Sequence, residues 1–134
     1  MTSERFVQAA YAYLFIGDYH EVKAAFQRAI AAEPNNSKLY FHASITAHRN
    51  GDLQEAHTLA TKAVSLCPEN DLYRSNVAAI YASVCVEHGK SAYFAGRTVE
   101  AFQYFRLAQA ADPLNEEADT FSQKLKLLHP EVEN

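Results

Sequence analysis

The amino-acid sequence predicts an all-α fold, a right-handed α-solenoid of three helix-turn-helix repeats and a capping helix, with seven helices in all. The first observation is a spacing of 34 residues, which separates Gly17 from Gly51 and also Pro34 from Pro68. The second is that apolar residues between these markers recur every three or four positions, as on one face of a helix. A fixed period of about 34 residues with helical periodicity is typical of stacked helical pairs.

The first repeat, residues 3–36, is predicted to hold two helices that meet at Gly17. Glycine ends the first of them because it adopts a positive φ without steric cost. Asp18 then begins the second helix, and Glu21 three residues later completes a capping box. Pro34 ends that helix, since proline cannot continue the hydrogen-bond ladder.

The second repeat, residues 37–70, has the same punctuation. Gly51 ends its first helix, Asp52 and Glu55 form a second capping box, and Pro68 closes the unit. Asparagine is a favoured N-cap residue. Asn36 immediately precedes the first helix of the second repeat, and Asn70 immediately precedes that of the third.

The third repeat, residues 71–115, is longer, because Gly96 and Pro113 follow their predecessors by 45 residues instead of 34. The excess of 11 residues is close to three full helical turns, so a continuous helix keeps its phase through it. We therefore expect an elongated first helix over 71–95. The alternative is a break at Gly89, where the sequence also fits a helix end.

Two further helices complete the chain. The second helix of the third repeat is expected over 98–111, and a capping helix over 116–129 begins after Asn115 with acidic residues at its positive end. One apolar stripe on the capping helix consists of Phe121, Leu125 and Leu128. At 134 residues the chain is expected to form a single domain, 1–134.

These residues resemble the tetratricopeptide repeat (TPR) family, whose pattern has an aromatic residue, Leu-Gly and Tyr on the first helix and Ala, Phe and Pro on the second. The matching residues of the first repeat are Phe6, Ala9, Ala10, Tyr13, Val22, Phe26 and Pro34. Those of the second are Tyr40, Ala43, Ser44, Ala47, Ala56, Ala60 and Pro68. In the third, Val77, Ala78, Tyr81, Ala101, Phe105, Ala108 and Pro113 fit. The resemblance implies a protein-binding scaffold.

Composition disfavours several classes of partner. A net charge of −4 with scattered basic residues argues against nucleic acid. No apolar run reaches the about 20 residues of a membrane-spanning helix, so membrane insertion is not expected. We identify no signal peptide in the first residues, and expect a cytoplasmic protein. Cys67 and Cys85 are expected to be free thiols, because Cys85 lies about 14 residues into the helix that begins near Asp71, on the order of 20 Å along its axis and beyond disulfide reach.

No catalytic, metal or cofactor site is expected. The six histidines include no pair at the spacing of four residues that joins two ligands on a helix. The four glycines are isolated, so no phosphate-binding loop is present. Glu21, Glu55 and Glu100 recur because helix starts favour them, which makes them poor candidates for acid–base catalysis. The sequence therefore predicts a protein that is not an enzyme.

The resemblance implies a concave peptide-binding groove lined by the first helix of each repeat. The candidate groove residues are Val7, Tyr11, Leu14, Phe15, Lys38, Phe41, Ile45, Arg49, Ser75 and Ala79. Their mainly apolar character favours an apolar or amphipathic peptide segment as the ligand. We expect Phe41 and Ile45 to lie on an exposed apolar patch; the alternative is that several of these side chains are buried under a neighbouring helix.

The family also includes co-chaperones that clamp the C-terminal carboxylate of heat-shock chaperones with Lys, Arg and Asn side chains. At the matching positions this chain has Val7, Tyr11, His42, Leu72 and Asn76. Only Asn76 is of a suitable type, and it lies in the wrong repeat, so this role is disfavoured.

Three alternatives remain open. The first is a self-assembling, homodimeric scaffold protein joined through the long helix 71–95, on which some of Val84, Cys85, Tyr93 and Phe94 would project beyond the neighbouring repeat. The second is a small secretion-type chaperone with three repeats, and the third is an accessory subunit of an enzyme.

Overall fold

The computed structural model describes residues 3–133. Its seven α-helices are α1 Glu4–Phe15, α2 Tyr19–Ala32, α3 Ser37–Arg49, α4 Leu53–Leu66, α5 Asp71–Phe94, α6 Thr98–Ala111 and α7 Glu116–Leu128, followed by a 3-10 helix, Pro130–Glu133. The described residues contain no strand. The prediction of an all-α fold with seven helices is confirmed. Helix α5 runs without a break through Gly89, so the prediction of one continuous helix is right to within one residue.

The chain divides into two compact units, and the division lies inside α5. Unit 1 extends to Val77 and contains α1 to α4 with the first two turns of α5. Unit 2 begins at Ala78 and contains the rest of α5 with α6, α7 and the 3-10 helix. That residues 1–134 form one domain stays a prediction.

The repeat-turn glycines have the backbone conformation that their positions require. Gly51, between α3 and α4, has φ +82°, in the left-handed region that favours glycine. Gly17 and Gly96 have nearly the same angle, and the described residues include no other positive φ. The three turns therefore share the same left-handed glycine conformation.

Most of the predicted helix caps are present. Asp18 Oδ1 accepts a hydrogen bond from Glu21 N at 3.2 Å, and the helix-capping asparagines accept from backbone N–H groups two or three residues ahead. These asparagines are Asn36, Asn70 and Asn115. The prediction is wrong for Asp52, whose side chain makes no cap hydrogen bond. Its carboxylate instead lies 3.7 Å from Lys23 Nζ, an ion pair between α2 and the α3–α4 turn.

The core of unit 1 consists of small residues around two aromatic anchors. Phe26 packs in a cluster with Ala10, Val22, Ala25 and Ala43. Phe41 packs in a second cluster with Ala63 and Tyr73. Alanine at these positions lets paired helices approach closely.

The core of unit 2 has more aromatic volume. The part of α5 in unit 2 contributes Ala82, Cys85, Val86 and Ala92. These pack with residues of α6, α7 and the 3-10 helix: Ala101, Phe102, Phe105, Ala108, Ala118, Leu125 and Val132. Phe105 is fully buried and stacks on Phe121, with ring centroids 4.9 Å apart. Lys90 forms an ion pair with Glu117 and so ties α5 to α7.

Gly89 marks the closest approach of α5 to α6. A Cβ placed on it would lie 2.6 Å from Cε1 of Phe105. Gly89 lies seven residues before Gly96, the turn glycine of the third helical pair. In the first two pairs the residue seven positions before the turn glycine is also small and fully buried: Ala10 before Gly17, and Ser44 before Gly51. The small-residue position of the third helical pair is thus Gly89, and its assignment to Ala78 in the sequence analysis is wrong.

The same packing corrects the expected projection of α5. Cys85 is buried, and Tyr93 packs against the unit 2 core, so neither is available on an uncovered stripe. Phe94 is 80% exposed, as expected for part of that set. Val84 is half-buried, so within that set Phe94 alone is largely exposed, and the homodimer through α5 stays a prediction. Both Cys67 and Cys85 are free thiols, as predicted.

Candidate functional site

In unit 1 the predicted groove residues lie on the first helix of each pair. On α3 they form a stripe with helical spacing, Lys38, Ile45 and Arg49, to which His42 also belongs. On α1, Val7, Tyr11, Leu14 and Phe15 follow the same spacing. We call these two stripes, with residues 71–77 of α5, the first-helix face.

The side chains of Tyr11 and His42 join α1 to α3 across this face. The Tyr11 hydroxyl lies 2.9 Å from His42 Nδ1, and the rings meet edge to face at a centroid distance of 6.1 Å. Tyr11 is 43% exposed and His42 is half-buried. The pair therefore presents both an aromatic surface and hydrogen-bonding groups to solvent.

Ring contacts continue from this pair into α5. Phe41 meets His42 at 5.4 Å and stacks on Tyr73 at 4.8 Å, while Tyr11 also contacts Phe26 at 6.2 Å. The first helices of unit 1 are thus linked by an unbroken series of rings. Such a series holds Tyr11 and His42 in place, since the rings behind them are buried.

The exposure expected for Phe41 is wrong. Phe41 is 8% exposed, because the ring of Tyr73 on α5 covers it. Ile45 is half-buried against the same cluster. The buried alternative is therefore correct for Phe41, which supports the face from beneath.

The other predicted residues differ in exposure. Val7 and Leu14 are half-buried, and Leu14 packs against the Phe26 cluster. Phe15, Lys38, Arg49 and Ser75 are exposed. Ala79 is half-buried in unit 2 and is described with that unit.

Nearby positive charges act on the Tyr11–His42 pair. Burial lowers the pKa of His42, and the positive charge of Lys38 lowers it further. Burial raises the pKa of Tyr11, and the positive charge of Arg49 opposes that rise. At neutral pH the pair is therefore uncharged and lies between two cationic side chains of α3.

His42 was not among the groove residues predicted from the sequence, where it figured among the six histidines without a metal-binding spacing and as an unsuitable clamp residue. The sequence does contain a signal for this pairing. Tyr11 and Ile45 occupy the same position of successive repeats, 34 residues apart, and His42 lies one helical turn before Ile45. Asn76, which was also considered for a clamp, donates from Nδ2 to Ser44 Oγ at 2.8 Å and so joins α5 to α3.

Residues 3–133 contain no group of three or more His, Cys, Asp or Glu side chains that could hold a metal ion. Within the same range, no helix is both long enough and apolar enough to cross a bilayer.

Two family models, both described as tetratricopeptide repeat, match residues 3–36 and 25–58. The chain belongs to the tetratricopeptide repeat family. The first match spans α1 and α2, and the second extends from α2 through α3 into α4. Neither model reaches α5, so the reading of residues 71–115 as a third TPR repeat remains our interpretation.

Solved TPR structures share the fold. The Arabidopsis OM64 TPR domain matches with a TM-score of 0.56 and 19% identity, over 95% of this chain and 96% of that one. The first TPR of Spaghetti (RPAP3), bound to the HSP90 peptide SRMEEVD, matches with a TM-score of 0.54 and 17% identity, over 95% and 94%. No curated protein matches the sequence.

An enzyme contains a similar region. An O-GlcNAc transferase of Thermobaculum terrenum matches over 92% of this chain but only 22% of its own, with a TM-score of 0.53 and 18% identity. At this level of identity the likeness concerns the fold. Membership of the TPR family indicates a protein-interaction module as the general function.

Proposed function

We propose that this chain is a non-enzymatic binding module whose first-helix face in unit 1 holds an apolar or amphipathic peptide segment. The observation that carries the proposal is the series of ring contacts from Tyr11 through His42 and Phe41 to Tyr73. Its buried end is fixed in the core and its other end, Tyr11, is 43% exposed. Rigid, partly exposed aromatic side chains bind peptides well, because little conformational freedom is lost on binding.

The flanking side chains support an extended contact. Phe15 is exposed one turn after Tyr11, and Leu72 is an exposed apolar residue of α5 in the same unit. Ile45 lies half-buried one turn after His42 on α3. An amphipathic peptide places apolar side chains three or four residues apart. Side chains one helical turn apart on the first-helix face can contact them at that spacing.

The comparison with Spaghetti narrows the ligand. The peptide bound to that TPR domain has the sequence SRMEEVD. In this chain the side chains at the clamp positions on α1 are Val7 and Tyr11, which offer no positive charge to a terminal carboxylate. The proposed ligand is therefore an internal segment of a protein chain rather than a free C-terminus.

The test is a selection from a phage-displayed library of random 12-residue peptides against the full chain. We expect enrichment of peptides with aromatic or aliphatic residues, and we expect Tyr11→Ala to remove most of their binding. Tyr104→Ala is the matched control, since Tyr104 also packs against a histidine ring, that of His88, but is half-buried and lies in unit 2. An absence of enriched peptides, or equal loss in both variants, would contradict the proposal.

A further inference from the structure

We propose that two copies of this chain associate about a two-fold axis, with Phe15 of each copy inserted into a cavity of the other. The cavity lies in unit 1 between the α1–α2 turn and the α3–α4 turn, and we call it the turn cavity. Its lining residues are Leu14, Gly17, Tyr19, Thr46, Arg49 and Asn50. This contact is separate from the one expected through α5. It does not rest on the proposed function, since neither Tyr11 nor His42 lines the cavity.

Phe15 is a large apolar side chain without cover. It is 92% exposed, more than any other large apolar residue among residues 3–133, and the neighbouring Ile16 is 70% exposed. Both lie at the end of α1, just before the turn. A ring left in water forgoes the free energy that its burial supplies, and adjacent exposed apolar side chains usually mark an interaction site.

The turn cavity has the size of one aromatic ring. Its volume is about 170 Å³, and an apolar cavity of about 150 Å³ is large enough to hold a benzene molecule. Pockets for drug-sized ligands have volumes of about 300–1,000 Å³. The turn cavity therefore fits a single side chain such as that of phenylalanine, and not a larger molecule.

The inner wall of the turn cavity is held in place by the core of unit 1. Leu14 and Tyr19 both pack against the cluster that contains Phe26. Thr46 is 5% exposed, and its hydroxyl donates to the backbone carbonyl of Ala43 at 2.9 Å, so it adds no unpaired polar group to the wall. The cavity is thus formed before a partner arrives, and little conformational freedom is lost when a ring enters it.

The rim of the turn cavity favours an aromatic ring. Nothing lies within 4 Å of a Cβ added to Gly17, so space beside the turn is open. Arg49 is exposed at the end of α3. A guanidinium packs favourably on the face of an aromatic ring, whereas an aliphatic side chain offers it no such attraction.

The ring and the cavity belong to one patch of the surface. Phe15 lies between two lining residues, Leu14 and Gly17, yet does not line the cavity itself. Successive side chains on a helix point about 100° apart, so Phe15 points away from the cavity that Leu14 lines. Two copies related by a two-fold axis can exchange these rings, and such a contact closes after two copies. Phe15 also lies on the first-helix face, so a bound peptide and a second copy compete for it.

The first experiment is sedimentation velocity of the full chain over a series of concentrations. We expect a monomer–dimer equilibrium without larger species. Phe15→Ser removes both insertions and is expected to raise the dissociation constant of the dimer about a hundredfold or more. Phe94→Ser is the matched control, since Phe94 also lies two residues before a turn glycine and is 80% exposed, but at the end of α5. Circular dichroism verifies that both variants are folded.

The second experiment shows which groups surround the ring. In a mixture of ¹³C-labelled and unlabelled chains, isotope-filtered nuclear Overhauser effects are measured between copies. We expect them between the Phe15 ring of one copy and the methyl groups of Leu14 and Thr46 in the other. A chain that stays monomeric, a dimer that Phe94→Ser weakens as much as Phe15→Ser does, or effects that join other residues would overturn the inference. None of these results bears on the peptide selection with Tyr11→Ala, which tests the proposed function separately.

Discussion

The two units differ at the point where their paired helices approach most closely. In unit 1 the residue seven positions before the turn glycine is Ala10, which packs in the same cluster as Phe26. In unit 2 the corresponding residue is Gly89, whose added Cβ would lie 2.6 Å from the ring of Phe105. Unit 1 accepts a methyl group at this position and unit 2 does not. The size of the small residue is therefore matched to the helical pair rather than to the repeat pattern.

The difference arises from the ring contacts of the phenylalanine that faces each small residue, Phe105 in unit 2 and Phe26 in unit 1. Phe105 is fully buried and its ring stacks on Phe121 at an interplanar angle of 9°, so it is held from both sides. Phe26 instead meets Tyr11 edge to face, and Tyr11 is partly exposed. In unit 2 the ring that contacts this phenylalanine thus belongs to the core, whereas in unit 1 it lies at the surface.

The largest expected effect on stability is that of removing the stacked ring. Phe105→Ala should lower the free energy of unfolding by about 3–5 kcal/mol. Phe26→Ala is the corresponding change in unit 1, where the ring that contacts Phe26 is partly exposed. It should therefore lower the free energy of unfolding by about 0.5–1.5 kcal/mol less than Phe105→Ala, which is the usual contribution of an aromatic pair. Urea denaturation followed by circular dichroism measures both. Equal losses would show that the stack in unit 2 adds nothing.

The next largest effect on the free energy of unfolding is expected for Gly89→Ala. Overpacking against Phe105 costs about 1–3 kcal/mol, and the higher helix propensity of alanine returns about 1 kcal/mol, so we expect a net loss of up to about 2 kcal/mol. The sign should reverse in a Phe105→Leu background, where the ring is absent. Ala10→Gly is the matched change in unit 1 and should cost about 1 kcal/mol from propensity alone. If Gly89→Ala stabilises the wild-type chain, the close approach of α5 to α6 is disproved.

These contrasts show which features the sequence could predict. The turn at Gly51 and the cap at Asp18 depend on atoms within a few residues, and both predictions are confirmed. Asp52 occupies the same local position as Asp18, yet its carboxylate pairs with Lys23, which lies 29 residues earlier. The burial of Phe41 likewise depends on Tyr73, which approaches only in the folded chain. Local spacing carries no information on such distant partners.

The position of the small residue in the third pair was predictable in principle. Counting back from Gly96 gives Gly89, and counting forward from Pro68 gives Ala78. The structure follows the first count, because α5 pairs with α6 near the turn that joins them. The Tyr11–His42 pair was harder to predict, since it joins two repeats with an offset of one helical turn.

Gly51→Ala should have a moderate effect of different origin. Space is available, because nothing lies within 4 Å of an added Cβ, but the φ of +82° is strained for alanine. We expect a loss of about 1 kcal/mol in the free energy of unfolding. Gly51→Asn should recover part of it, since asparagine tolerates the left-handed region better. Equal losses for both variants would point to a cause other than backbone strain.

The smallest expected effect is a dependence of stability on pH. The pKa values of His42 and His48 are lowered by burial in the folded state, so the unfolded chain binds protons more readily. The free energy of unfolding should therefore fall as the pH is lowered from about 6.5 towards 5. His42→Gln should reduce this slope, whereas the exposed His57 provides a control substitution, His57→Gln. An unchanged slope in His42→Gln would contradict the assigned shift.

The most direct test of the peptide-binding face is a map of the amide groups that respond to a ligand. Uniformly ¹⁵N-labelled full-length chain is titrated with the most enriched peptide of the library selection, and backbone chemical-shift changes are measured. We predict that the largest changes lie in α1, in α3 and at residues 71–77, and that they disappear with Tyr11→Ala but persist with Tyr104→Ala. Changes centred on α6 and α7, unaffected by Tyr11→Ala, would contradict the assignment of the binding face to unit 1.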